Sequence, residues 1–164
     1  MGCDIHPYFE AQFPDGTWQV IEAVDCGRSY NWFGLAAGVR HNFEESFEAR
    51  GMPPSPSWTW EYLSEMSTDF FHSHSWLTLS ELREVNRHWQ RQRRINEDCN
   101  DYDLKSERVR DFIVPLTPDH VITGILIPDN DGKVKKIPFA GTLAEFVGSD
   151  DIEDKVRLVF AFDN

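Results

Sequence analysis

The chain opens on alternation. From Cys3 to Gln12, residues Cys3, Ile5, Phe9 and Ala11 fall on one side, with Asp4, His6, Tyr8, Glu10 and Gln12 on the other. That period of two predicts a half-buried strand with a polar face. Phe13-Pro14-Asp15-Gly16-Thr17 then reads as a turn, since proline presets φ and glycine accepts a left-handed conformation. Trp18 to Val24 supplies the partner strand of a hairpin.

The period lengthens after Cys26-Gly27. Trp32, Leu35, Ala36 and Val39 recur at i, i+3, i+4 and i+7, one apolar helical face. Residues 42 to 49 read as either an acidic helical turn or a loop. Arg50 to Ser57, RGMPPSPS, must be irregular because proline removes donors and restricts the residue before it. A short helix, Trp58 to Met66, follows with Ser57 as its cap. Phe70 to Leu79, FFHSHSWLTL, is an extended stretch running into a longer helix that begins at a capping box, Thr78 with Glu81. That helix runs from Leu79 to about Ile95, burying Leu82, Val85 and Trp89.

The remainder is expected to be mostly strand. Glu97 to Asp111 reads as an exposed charged connection and Val109 to Leu116 as a strand. His120 to Ile127 is apolar on both faces, as a buried strand requires. Asp129 to Gly132 turns the chain into Lys133 to Phe139, which Pro138 marks as an edge. A second capping box, Thr142 with Glu145, starts a short helix to Val147, and Val156 to Phe162 forms a central strand. Strands first and last with helices between predict a single α+β domain over residues 1–164. Its sheet is mixed or antiparallel, contains the N-terminal hairpin and the C-terminal strand, and carries its helices mainly on one face.

Composition narrows the class. A net charge of −12 argues against nucleic acid as a partner, because phosphate binding is dominated by basic surface. Residues 83 to 94 are the local exception, with five arginines and one glutamate, but this row lies opposite the buried stripe and is expected to be solvated or paired with acids. Three cysteines without paired spacing or a signal peptide fit a reducing cytoplasm, and no apolar run is long enough to span a membrane.

The chemistry-bearing residues come in two pairs, Asp4 with His6 and His72 with His74. In an extended segment residues two apart share a face about 6–7 Å apart, so each pair offers two ligands to one ion. Carboxylate and imidazole suit a divalent transition metal such as Zn or Mn, which would activate water for ester hydrolysis. The alternative is that Asp4 and His6 line a wet strand face while His72 and His74 bond loop backbone.

Around this set, Asp69 is the nearest general base and Arg40 the catalytic arginine. Arg28 and Arg50 could hold a phosphate or carboxylate, and Trp76 could stack on a ring. Each has a plainer role as an ion-pairing or core residue. Cys3 falls on the apolar side, away from Asp4 and His6, which argues against a nucleophile. The acidic runs at 98–103 and 129–132 lack the twelfth-position acid of a calcium loop.

MGCDIH at the start, the stretch from Arg28 ending AGVR at Arg40, RGMP at 50–53, HSHSWLT at 72–78 and the closing VRLVFAFDN together resemble a family of small uncharacterised proteins encoded by tailed bacteriophages and prophages. Where that family often has an acid after its RGLP-like block, this chain has Ser55. The resemblance implies a phage-encoded accessory protein of the host cytosol. Two functions remain open: a metal-dependent hydrolase of a nucleotide or other phosphoester, or a non-catalytic protein that sequesters a small anionic ligand or inhibits a host protein.

Overall fold

The computed structural model describes residues 2–39, 46–95 and 102–163. Strands β1 (Asp4–Gln12) and β2 (Trp18–Ala23) form the expected hairpin, followed by helices α1 (Tyr30–Ala37) and α2 (Trp58–Met66), strand β3 (Phe71–Thr78) and helix α3 (Leu79–Ile95). Helix α4 (Tyr102–Ile113), strands β4 (Val121–Pro128) and β5 (Val134–Thr142), helix α5 (Leu143–Val147) and strand β6 (Val156–Asp163) complete the order. One sheet of order β3-β6-β1-β2-β4-β5 holds all six strands, and every neighbouring pair is antiparallel. The fold is α+β.

The main core lies between the sheet and α1, α3, α4 and α5. Phe9, Leu158, Phe160 and Phe162 of the sheet meet Trp32, Phe33, Leu82, Val85, Val109, Ile113 and Phe146 there. Helix α2 lies on the opposite face, where Trp60 packs on Val159, Ala161, Tyr8, Phe71 and Trp76, and the proline-rich segment before it covers Arg157 on the same side. Strand β6 is therefore covered on both sides and buried from Val156 to Phe162. That is why its sequence does not alternate.

Local signals fix the ends of the elements. Gly16 takes φ +89° in the hairpin turn, with the Asp15 carboxylate accepting from Thr17 N–H and Oγ. Ser57 Oγ accepts from Trp60 N–H at 3.1 Å and caps α2. The Thr78 and Glu81 pair makes the reciprocal bonds of a capping box, as does Thr142 with Glu145.

Three expectations fail. Residues 102–113 are helix rather than an exposed connection, and Val109 to Leu116 is no strand: Val109, Ile113 and Leu116, spaced by four and three, are all buried on one side of the chain. Their branched side chains resemble a strand by composition, but the spacing is helical and the face packs against the core. In β4, too, burial alternates near the start, with Ile122 and Gly124 buried while Val121 is 63% exposed and Thr123 is exposed, so that strand is covered on one face there. Of the arginine row on α3, Arg83 is tied to Glu153 at 3.0 Å and to the Leu116 carbonyl, whereas Arg87 and Arg91 are exposed.

Below the proline-rich segment lies a buried ion pair. Glu10, on the polar side of β1, is fully buried; Oε2 accepts from Arg157 Nε at 2.5 Å and Oε1 from Ser57 N–H at 3.0 Å. Arg157 also donates to the Pro54 and Ser55 carbonyls and lies 3.8 Å over the Trp18 ring. Ser55 contributes its backbone and sits at φ +48°.

Candidate functional site

The start of β1, the end of β6 and the start of β3 meet at one end of the sheet. Asp4 lies opposite Asp163 and His6 opposite Ala161, while Phe71 and His72 lie opposite Asp163 and Phe162. The stretches MGCDIH, HSHSWLT and VRLVFAFDN thus occupy three adjacent strands. RGMP packs alongside, Gly51 N–H donating to the His74 carbonyl and Arg50 N–H to Ser75 Oγ.

Asp163 is the hub of this end. Oδ1 accepts from Asp4 N–H at 3.1 Å and Oδ2 lies 2.9 Å from His6 Nε2. Asp4 in turn accepts from Arg28 Nε at 2.6 Å. That bond to the guanidinium holds the Asp4 carboxyl below the usual carboxylate range, and Asp4 raises Arg28 in return. Gly2 leaves room for the pair, since a Cβ there would stand 1.9 Å from Arg28 Nη1. The His6 ring leans on Phe71 at 4.8 Å, with about a third of the side chain exposed (34%), leaving the imidazole reachable. Arg28 enters through the bend before α1, whose Tyr30 hydroxyl donates to the Cys3 carbonyl and accepts from Cys3 N–H.

The two histidines of β3 part company. His72 pairs with Phe162 and Ser75 with Phe160, so an extra residue is accommodated between them, and Ser73 takes φ +51°. This bulge breaks the alternation. His72 stacks on Phe162 at 6.1 Å on the main-core side, with Nε2 3.9 Å from Cys3 Sγ and Nδ1 3.0 Å from Ser73 Oγ. His74 points the other way, against Trp60 and Phe71 at 6.0 Å each. Burial, then the nearby His72, lowers the His74 pKa.

In this structure the four expected ligands do not converge on one point. A bulge separates His72 from His74, Arg28 engages Asp4, and Asp163 engages His6. Among the described residues no three His, Cys, Asp or Glu side chains are disposed to share a metal ion. Arg50 is spent elsewhere: it grips Glu81 with both terminal nitrogens, at 2.9 and 2.7 Å, and lies over Trp76 at 5.1 Å. These two fasten the RGMP segment to β3 and α3. Asp69 is exposed in the turn after α2 and makes no bond to the cluster, and Arg40 lies outside the described residues.

The sheet end thus gathers Asp4, His6 and Arg28 from the expected set and adds Asp163 and Tyr30, which periodicity did not single out. Asp163 carried one signal, an acid closing a seven-residue buried run. Only the β1–β6 register sets it opposite Asp4. Cys3 is buried on the apolar side as alternation requires, yet the bulge brings His72 over to it.

Comparisons with protein-family models, curated proteins and solved structures find no match. No helix among the described residues is long and apolar enough to cross a membrane.

Proposed function

We propose that this chain is a phage-type accessory hydrolase that acts on a small phosphoester or nucleotide at the sheet end, with His6 and Asp163 as its acid–base pair. The observation that carries this reading is the 2.9 Å contact of Asp163 Oδ2 with His6 Nε2. A carboxylate fixes one imidazole nitrogen and so orients the other, Nδ1, for proton transfer. Asp4–Arg28 and Asp163–His6 are two pairs of opposite charge once His6 is protonated. An incoming anion then meets two pairs without net charge, along with the Arg28 terminal nitrogens, which Asp4 leaves unbonded. Neutral His6 would take a proton from the water as its oxygen bonds to phosphorus, and the protonated ring would then give that proton to the departing ester oxygen as its bond to phosphorus breaks.

Turnover against a panel of nucleotides and simple phosphate esters tests this. His6→Asn and Asp163→Asn should each lower kcat by about 10²–10⁴-fold, the usual share of a positioned acid or base. An undiminished rate in either variant sinks the assignment. A metal-dependent version needs Asp4 or the histidines to leave their present partners. Chelator distinguishes it, since loss of turnover on chelation with restoration by Zn or Mn would favour the metal. Ligand binding without turnover would favour the non-catalytic, sequestering alternative.

A further inference from the structure

The outer face of α2 bears two parallel rows. Trp58, Tyr62, Met66 and Phe70 recur every fourth residue, and so do Glu61, Glu65 and Asp69 beside them. Side chains four apart on a helix stand about 6 Å from one another, so each set forms a continuous line. The helix ends at Met66, and Asp69 and Phe70 follow in the turn that Phe70 N–H and Phe71 N–H close on the Ser67 carbonyl. Three of the four apolar members are open to solvent: Trp58 is 60% exposed, Met66 65% and Phe70 65%. The three acids are also exposed and make no ion pair with a described residue. No lysine or arginine lies between residues 58 and 70.

Among the described residues Trp58, Met66 and Phe70 belong to neither hydrophobic cluster, while Tyr62 reaches the turn at Gly132. Helix α2 is anchored from its other side by fully buried Trp60 and by Thr59 Oγ1, which donates to the Leu126 carbonyl at 2.6 Å. Large exposed aromatics in a row commonly mark a contact surface, and tryptophan is among the residues that dominate such contacts.

We infer that the outer face of α2 docks a basic amphipathic helix of a partner protein, one with large apolar side chains every fourth residue and a row of lysines or arginines alongside. Charge complementarity selects this occupant. An acidic row in a chain of net charge −12 repels an anionic lipid surface and attracts a cationic one. A second copy of this chain is a poorer fit: α3 presents Arg87 and Arg91, but its apolar residues Leu82, Val85 and Trp89 are buried. The partner must bring both rows.

The test titrates the full-length chain into a fluorescein-labelled synthetic peptide of about four helical turns, with leucine every fourth position and lysines beside them. A scrambled peptide of the same composition serves as control. The amphipathic peptide should bind and the scrambled one should not. Trp58→Ala or Met66→Ser should each weaken binding by at least about tenfold. The double change Glu61→Lys with Glu65→Lys should do the same, as should salt high enough to bring the Debye length to about 3 Å. These surface variants leave sheet-end turnover unchanged, so this inference and the hydrolase reading can fail separately.

Equal binding of both peptides would overturn the proposal, because charge alone would then suffice. So would binding to anionic vesicles without binding to the peptide. Self-association abolished by Glu65→Lys would also overturn it, assigning the face to a second copy. Should a variant fail to fold, the scrambled peptide and the salt series on the unaltered chain still decide.

Discussion

His72 and His74 stand two residues apart on one strand and face opposite sides of the sheet, because Ser73 between them adopts φ +51° at a bulge. One ring stacks on Phe162 beside Cys3 and the other packs on Trp60 and Phe71. The geometry requires a residue that tolerates a left-handed backbone. Ser73→Gly should therefore fold as well as the parent, while Ser73→Val should lose about 1–3 kcal/mol, since a β-branched residue at positive φ is strained. Urea unfolding of the two variants measures the difference, and equal stability would mean the bulge is not retained in solution.

The Glu10–Arg157 pair is buried, with exposures of 0% and 2%, so removing one partner strands the other. Glu10→Gln should cost about 3–5 kcal/mol, and replacing both residues with methionine should recover much of the loss, since the desolvation cost then disappears on both sides. Arg157→Lys should resemble the single loss, because one ammonium cannot serve Glu10, Pro54 and Ser55 together. Chemical denaturation of the single and double variants checks the cycle. A fully additive double change would show that the two groups do not interact.

Burial and the nearby His72 lower the His74 pKa from its ordinary value of 6.5. The folded imidazole thus holds its proton less tightly than the unfolded one, and His74 Nε2 is buried with no hydrogen-bond partner among the described residues. Stability should be complete above the ordinary histidine range and fall as pH drops through it toward the lowered folded value. Carboxylates such as Glu81, whose pKa is also lowered, add their losses only at more acid pH. Stability profiles of the parent and of His74→Gln should diverge between about pH 7 and 5. Parallel profiles there would show that His74 does not titrate with folding.

Gly2 admits the Arg28 guanidinium, where any Cβ would meet Nη1 at 1.9 Å. Gly2→Ala should therefore displace Arg28 from Asp4 and raise KM for an anionic substrate about as much as Arg28→Ala does, with little further loss when the two are combined. Steady-state kinetics of the three variants provides the comparison. Independent, additive effects would separate Gly2 from the arginine.

Cys26 is buried, and its thiol is pushed up to about 12 by desolvation. It should resist iodoacetamide at neutral pH while folded and react once urea unfolds the chain, because the thiolate is the reactive form. Mass spectrometry of the alkylated peptides reports this directly, and prompt labelling of the native protein would contradict the burial.

Local regularities were legible in the residues themselves. The hairpin with its Pro-Asp-Gly turn, both capping boxes, the Ser57 cap, the stripe of Leu82, Val85 and Trp89, and the edge position of the Pro138 strand all follow from spacing and from side chains that bond nearby backbone. Those forces act within a few residues, so the sequence alone determined them. It also placed Cys3 in the core and, by leaving β6 without alternation, gave that strand two covered faces.

Other features depended on partners distant along the chain. Residues 109–113 became helix because Val109 and Ile113, with Leu116 just beyond, found one core surface together, a long-range packing gain that outweighed local strand preference. The histidine pair divided because neighbouring β6 accepts three steps of β3 against two of its own. Asp163 reached Asp4 and His6 only through the β1–β6 register, which joins the two ends of the chain across more than 150 residues. Period-two alternation states which side a residue would take in an unbroken strand. Whether the strand is unbroken, and what stands opposite, is decided by tertiary pairing.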